Sequence, residues 1–207
     1  MAIPAEELSG ALEATRRLRA LVDGTGDLTA PSLLPGWTRG HVVAHLVGNA
    51  RSHIRMLRAA HEEVVADQYP DGAAGREREI QELAADPVQA VTELHRSAEE
   101  LADVWRSTSD WTALARPLDG RPIPVARLAW GRWREVEVHA VDLAGDYRPE
   151  HWPAPFLARL LEELRSRPDL PPLDGITGPD HAMAAWLSGR SDGQGLHGHL
   201  PELPAWR

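Results

Sequence analysis

"AWGRWREVEVHAVDL", residues 129–143, sets two arginines, two glutamates, a histidine and an aspartate among apolar residues. At 3.6 residues per turn Ala129, Trp133, Val136, Ala140 and Leu143 share one stripe, so the segment reads as a helix laid against a core. Glu135, His139 and Asp142 form a second row one residue over, and Glu135 and His139, four apart, neighbour each other. Glu137 lies nearly opposite that row with no histidine beside it, and a solvated carboxylate is expected there. On a bundle helix a Glu-x3-His pair can supply two metal ligands. It can equally close a hydrogen bond that stabilises the helix. The pair alone does not choose, and a metal needs at least one more ligand.

Outward from this helix the chain carries three more long helical patterns. Leu8, Ala11, Leu12, Leu18 and Val22 recur at helical spacing and stop at Gly24. Thr38 is the N-cap expected for a second helix of roughly 25 residues. QYPDGAAG breaks it, the short charged stretch REREIQELAA follows, and Asp86-Pro87 opens the third long helix with a cap and a first-turn proline. That helix carries Val88, Val91, Leu94, Ala98, Leu101 and Val104 and runs out near Thr108. PLDGRPIP is a turn or a short hairpin-like link into the helix under discussion. After Gly145 prolines cluster around one amphipathic helix, FLARLLEELRS, and the tail holds a short helix and Gly-rich, weakly alternating sequence. The pattern predicts a mainly α protein without internal repeats. Residues 1–147 form a four-helix bundle and residues 148–207 a small mixed α/β subdomain.

Composition narrows the function. At 207 residues, 43% hydrophobic and 26% charged, the chain can bury one sizeable core. No apolar run approaches a membrane span. The opening MAIPAEELSG lacks a basic-then-apolar leader, so a cytoplasmic location is expected. A net charge of −9 repels a phosphate backbone and argues against nucleic acid as partner. All 22 basic residues are arginine, which excludes Schiff-base chemistry on lysine. With no cysteine, a bound metal has only N/O ligands, and any thiol chemistry uses a thiol from outside.

The second helix offers a further ligand. His41 and His45 stand four apart, with Asn49 and Ser52 continuing the row. The helix's apolar stripe (Val43, Leu46, Val47, Ala50, Ile54, Leu57) is centred roughly 150° from His45, so periodicity leaves both histidines near solvent. Ala44 and Gly48 on their side permit close approach. His53 and His61 are likewise expected to be solvated, as are His197 and His199 in the tail, and Trp37, just ahead of the cap, reads as a core anchor in preference to a wall of the site.

Three blocks in this order, LPGWTRGHVVAHLVGNA (34–50), WREVEVHAVDL (133–143) and WLSGRSDG (186–193), resemble the mycothiol-dependent maleylpyruvate isomerases of the DinB-like superfamily of metal-binding four-helix bundles. The resemblance covers nearly the whole chain. It implies a metal site of His45, Glu135 and His139, usually filled by zinc with one open position, and leaves out His41. For His45 this overrules the helical wheel. It places Arg190 close to the active site, where it grips a substrate carboxylate unless it is an ordinary loop arginine. Asp142 becomes a partner for a ligand histidine, or else a salt-bridge partner for an arginine. The implied cofactor is mycothiol, whose thiolate adds to the activated double bond of a small-molecule substrate and leaves again after rotation. Three other activities fit the scaffold: a mycothiol S-transferase acting on an electrophile or xenobiotic, a non-catalytic metal-binding bundle, and a metal-dependent hydrolase. Zinc, nickel and manganese all suit these ligands. The chain departs from the better-known members before its tail, where it reads as shorter and proline-rich, so strands of the C-terminal subdomain are expected to be reduced.

Overall fold

The computed structural model describes residues 3–206 and divides into two compact units, the first ending at Gly145 and the second starting at Asp146. In the first unit α1 (Ala5–Asp23), α2 (Arg39–His61), α4 (Pro87–Ser107) and α5 (Ala126–Asp142) are the long helices. The shorter α3 (Gly72–Ala84) precedes α4, and the two-residue strands β1 (Leu114–Ala115) and β2 (Ile123–Pro124) pair antiparallel in the link to α5. The helix starts follow the expected chemistry. The Thr38 hydroxyl accepts from the His41 amide, and the Asp86 carboxylate accepts from the Gln89 amide with Pro87 beside it.

α1 packs on α5, and α2 packs on α3, α4 and α5. Gly10 of α1 lies flat against the Trp133 indole; a Cβ there would stand 2.4 Å from the ring, so glycine sets this close approach. Leu18, Leu46, Met56, Leu94 and Val136 are fully enclosed, each such side chain contributing about 1.5–3 kcal/mol by leaving water.

Crowding within the bundle overturns three readings from periodicity. His45 and His53 are both buried, at 3% exposure each, although the wheel leaves them near solvent. The wheel measures one apolar stripe, whereas α2 is covered on several sides. Glu137 is also buried, not solvated: Nη2 of Arg17 on α1 donates to Oε1 at 2.6 Å, and the Trp133 indole N–H stands 3.3 Å away. α1 reaches across that flank, and its arginine makes burial of the charge tolerable. Val88, by contrast, is exposed at the start of α4, on the side of the first turn away from the buried Ala90.

The second unit holds a single 3-10 turn (Pro149–His151), α6 (Ala154–Arg165) and α7 (Asp180–Leu187). α6 buries Phe156, Leu160, Leu161 and Leu164 and packs on α7. Among the described residues its extended pairing is one antiparallel bridge, Thr177 with His197, closed by two backbone bonds of 2.9 and 2.8 Å. His197 and His199 are exposed, as expected. Among the described residues no helix is long and apolar enough to cross a membrane.

Candidate metal centre

Two helix ends are tied together before any side chain of the site is considered. The loop ahead of α2 donates Leu33 N–H to the carbonyl of Asp142 at 2.9 Å, and Arg39 Nη2 reaches the carbonyl of Ala144 at 3.1 Å. Ala144 itself closes α5 in the left-handed region, φ 56°. The Gly40 and Arg39 amides are taken by the carbonyls of Leu28 and Ala30. The start of α2 is thereby tied to the end of α5.

That register brings His45 of α2 against Glu135 and His139 of α5. His45 Nε2 lies 2.9 Å from Glu135 Oε2, and His139 Nε2 lies 3.6 Å from the same oxygen. The two imidazoles meet edge to face with centroids 4.5 Å apart. One donor atom from each residue falls within 4.8 Å of the other two. The second carboxylate oxygen of Glu135 faces Arg134 Nη2 at 3.6 Å. His139 has its remaining nitrogen, Nδ1, 2.8 Å from Oδ2 of the buried Asp142, so Nδ1–H donates and the Nε2 lone pair points to the cluster. Trp37 is half-buried beside the cluster, its ring 5.8 Å from that of His45.

Burial holds the His45 pKa down at about 4, helped by the charges of His139 and Arg76 and opposed by Glu135. Burial also pulls His139 down, but the hydrogen bonds and charges of Asp142 and Glu135 outweigh it and raise the group above its ordinary value. Desolvation would raise Glu135, yet hydrogen bonds from His139 and His45 and their charges drive it well below the carboxylate range. At neutral pH the cluster offers a neutral His45 and an anionic Glu135. Two imidazole nitrogens and one carboxylate oxygen are the donor set of a catalytic zinc site with a free position.

Asp142→Asn keeps the shape of the partner of His139 and removes its charge. Metal affinity is expected to fall about 10- to 100-fold, measured by competition with a colorimetric chelator.

The remaining sequence candidates take separate places. His41 is a helix cap: its Nδ1 accepts from the Thr38 amide at 3.2 Å and its Nε2 stands 3.1 Å from Gln81 Oε1. Asn49 Oδ1 accepts from Arg132 Nη1 at 2.8 Å. Arg190 lies in the second unit, where its Nη1 donates to the Ser188 carbonyl at 2.7 Å and its guanidinium stands 5.4 Å from the Trp206 ring.

Two arginines around the cluster escaped sequence reasoning. Arg132 is fully buried one helical turn before Glu135, and also donates to the Leu46 carbonyl at 2.7 Å. Burial pushes its pKa down to about 10, so it stays charged at neutral pH. Its position on the Glu135–His139 row was the available signal. Arg76, on α3, places Nη2 3.0 Å from His45 Nδ1. Nothing in the spacing of a short charged helix marks it.

Residues 9–144 match the family of the mycothiol maleylpyruvate isomerase N-terminal domain. No curated protein matches the chain in sequence. Two crystal structures share its fold. One, of the mycothiol-dependent maleylpyruvate isomerase, is 25% identical, with a TM-score of 0.90 over 99% of this chain and 98% of that one. The other, a histidine-to-alanine mutant of the mycothiol-dependent maleylpyruvate isomerase, is 24% identical with the same TM-score and coverage. Both alignments therefore run through the proline-rich C-terminal portion rather than stopping at the bundle. With most of its length inside the matched domain, the chain belongs to the mycothiol maleylpyruvate isomerase N-terminal domain family.

Proposed function

We propose that the protein is a metal- and mycothiol-dependent isomerase of the maleylpyruvate isomerase type. It adds a thiol across an activated cis double bond, lets the new single bond turn, and expels the same thiol to leave the trans isomer. The observation that carries this reading is the meeting of His45, Glu135 and His139 from α2 and α5, in a chain whose fold matches the solved isomerase along nearly its whole length.

In this reading His45, Glu135 and His139 hold a divalent cation, and the mixed nitrogen and oxygen donors favour zinc. When bound, such a cation stabilises the thiolate form of a thiol and so supplies the nucleophile at neutral pH. The chain's own contribution is to fix charge and direction. Glu135 brings a full negative charge into a half-buried place, and Asp142 fixes the tautomer of His139. Trp37 covers one side of His45 with an apolar ring. The chain contains no cysteine, which fits a nucleophilic sulfur brought in by mycothiol. Arg190 is proposed to bind one carboxylate of the substrate.

The test is turnover of maleylpyruvate by the zinc-loaded protein with mycothiol, with free thiol titrated during the reaction. Isomer formed at constant free thiol is the expected result. A thiol concentration that falls in step with product assigns a transferase, and bound zinc without any thiol-dependent turnover removes the catalytic reading.

A further inference from the structure

The two histidines of the cluster are supported in opposite ways. His139 has a carboxylate, Asp142, on its outer nitrogen, whereas His45 has a guanidinium, Arg76, on its own. A guanidinium only donates, so its 3.0 Å bond makes His45 Nδ1 the acceptor and leaves the ring proton on Nε2, where it faces Glu135. That tautomer cannot offer Nε2 to a cation. A neutral imidazole bound through Nε2 carries its proton on Nδ1, and two donors would then face each other at hydrogen-bonding distance. The metal-free arrangement and cation binding at Nε2 are mutually exclusive at Arg76.

Arg76 also lacks an anion of its own. Among the described residues none of the ion pairs includes it, and its one hydrogen bond is the bond to His45. Its neighbours on α3 fare differently: Arg78 is paired with Asp71, and Gln81 Nε2 donates to Glu77. Once His45 Nδ1 becomes a donor, the ring N–H and the guanidinium lie side by side with nothing to accept from them. A carboxylate satisfies both, since its two oxygens take one bond from the imidazole and a charge-assisted one from the arginine. Ligand histidines commonly donate their outer N–H to a carboxylate. Among the described residues no carboxylate is hydrogen-bonded to His45 Nδ1.

We infer that Arg76 is a substrate-binding residue: cation loading of the cluster releases it from His45 and makes it, with the His45 Nδ1–H, a site for a carboxylate of the substrate. The inference takes from the proposed function only that the three ligands hold a cation and that the substrate is an organic anion. It makes carboxylate binding conditional on the metal.

The experiment titrates maleate, an unreactive cis-dicarboxylate, into apo and zinc-loaded protein by calorimetry, with wild type, Arg76→Gln and Arg76→Lys. Zinc-loaded wild type is expected to bind maleate about ten-fold or more tighter than the apo protein and than zinc-loaded Arg76→Gln, with Arg76→Lys between. Zinc affinity of Arg76→Gln is expected to equal or exceed that of wild type, because the competing tautomer loses its support. Equal maleate binding by wild type and both variants overturns the role of Arg76. Equal binding by apo and loaded wild type, or no binding by either, overturns the coupling to the metal. Loss of zinc from both variants makes Arg76 a support of the ligands and overturns the inference too. Zinc-dependent maleate binding without mycothiol-dependent turnover removes the isomerase reading and leaves Arg76 its role.

Discussion

A His45→Ala variant is expected to remain folded, to lose stoichiometric metal, and to turn over substrate on the order of 10³-fold more slowly or worse. The two remaining ligands, Glu135 and His139, come from one helix four residues apart, and a cation held only by them lacks the contribution of α2. Metal content of the purified protein and its circular dichroism decide the outcome together. Retained metal at one equivalent would mean that the cation sits elsewhere. The same cluster predicts how acid strips the metal. The His139 pKa is raised by its two carboxylate neighbours and that of His45 is held down at about 4. As pH falls, protons therefore compete first at His139.

The second large effect concerns stability, and it belongs to a residue with no part in the chemistry. His53 is enclosed in α2, with its Nδ1 lacking a hydrogen-bond partner among the described residues. Burial, and then the charge of Arg132, push its pKa from 6.5 to about 3 in the folded protein, against a smaller opposing pull from Glu135. The unfolded chain therefore takes up a proton at His53 first. Stability from keeping the ring neutral is complete above the unfolded value of 6.5 and is lost as pH falls from there toward about 3. Between about pH 7 and about pH 4.5 the loss comes to about 2–3 kcal/mol from this one group. Denaturant melts of wild type and His53→Leu at the two pH values measure it. The leucine variant, which has no proton to bind there, is expected to show a slope shallower by that amount. Parallel slopes would mean that His53 titrates normally and that its enclosure opens readily.

Much of the architecture was legible in the sequence because caps and breakers are local. Thr38, Asp86 with Pro87, and Gly24 mark helix ends through interactions within a few residues. The Glu135–His139 row was likewise readable, being a property of one helix. What the sequence hid depends on how many neighbours a helix acquires. α2 is covered on several sides, so a single-stripe reading misplaced His45 and His53, and α1 covers the flank where Glu137 was expected in water. Family resemblance supplied His45 where periodicity opposed it. Arg76 had no such help. Its importance comes from α3 lying beside α2, a relation between two segments that neither segment's pattern encodes.

The backbone bonds from residues 28–40 to the end of α5 carry one last implication. The Leu33–Asp142 backbone bond and the Arg39 side chain on the Ala144 carbonyl hold the two ligand-bearing helices in register, so the cluster's spacing does not depend on a cation to gather it. Chelator treatment should then empty the protein without melting it, and returning zinc should restore it on the timescale of ligand exchange rather than of refolding. The fold would persist through periods of zinc scarcity.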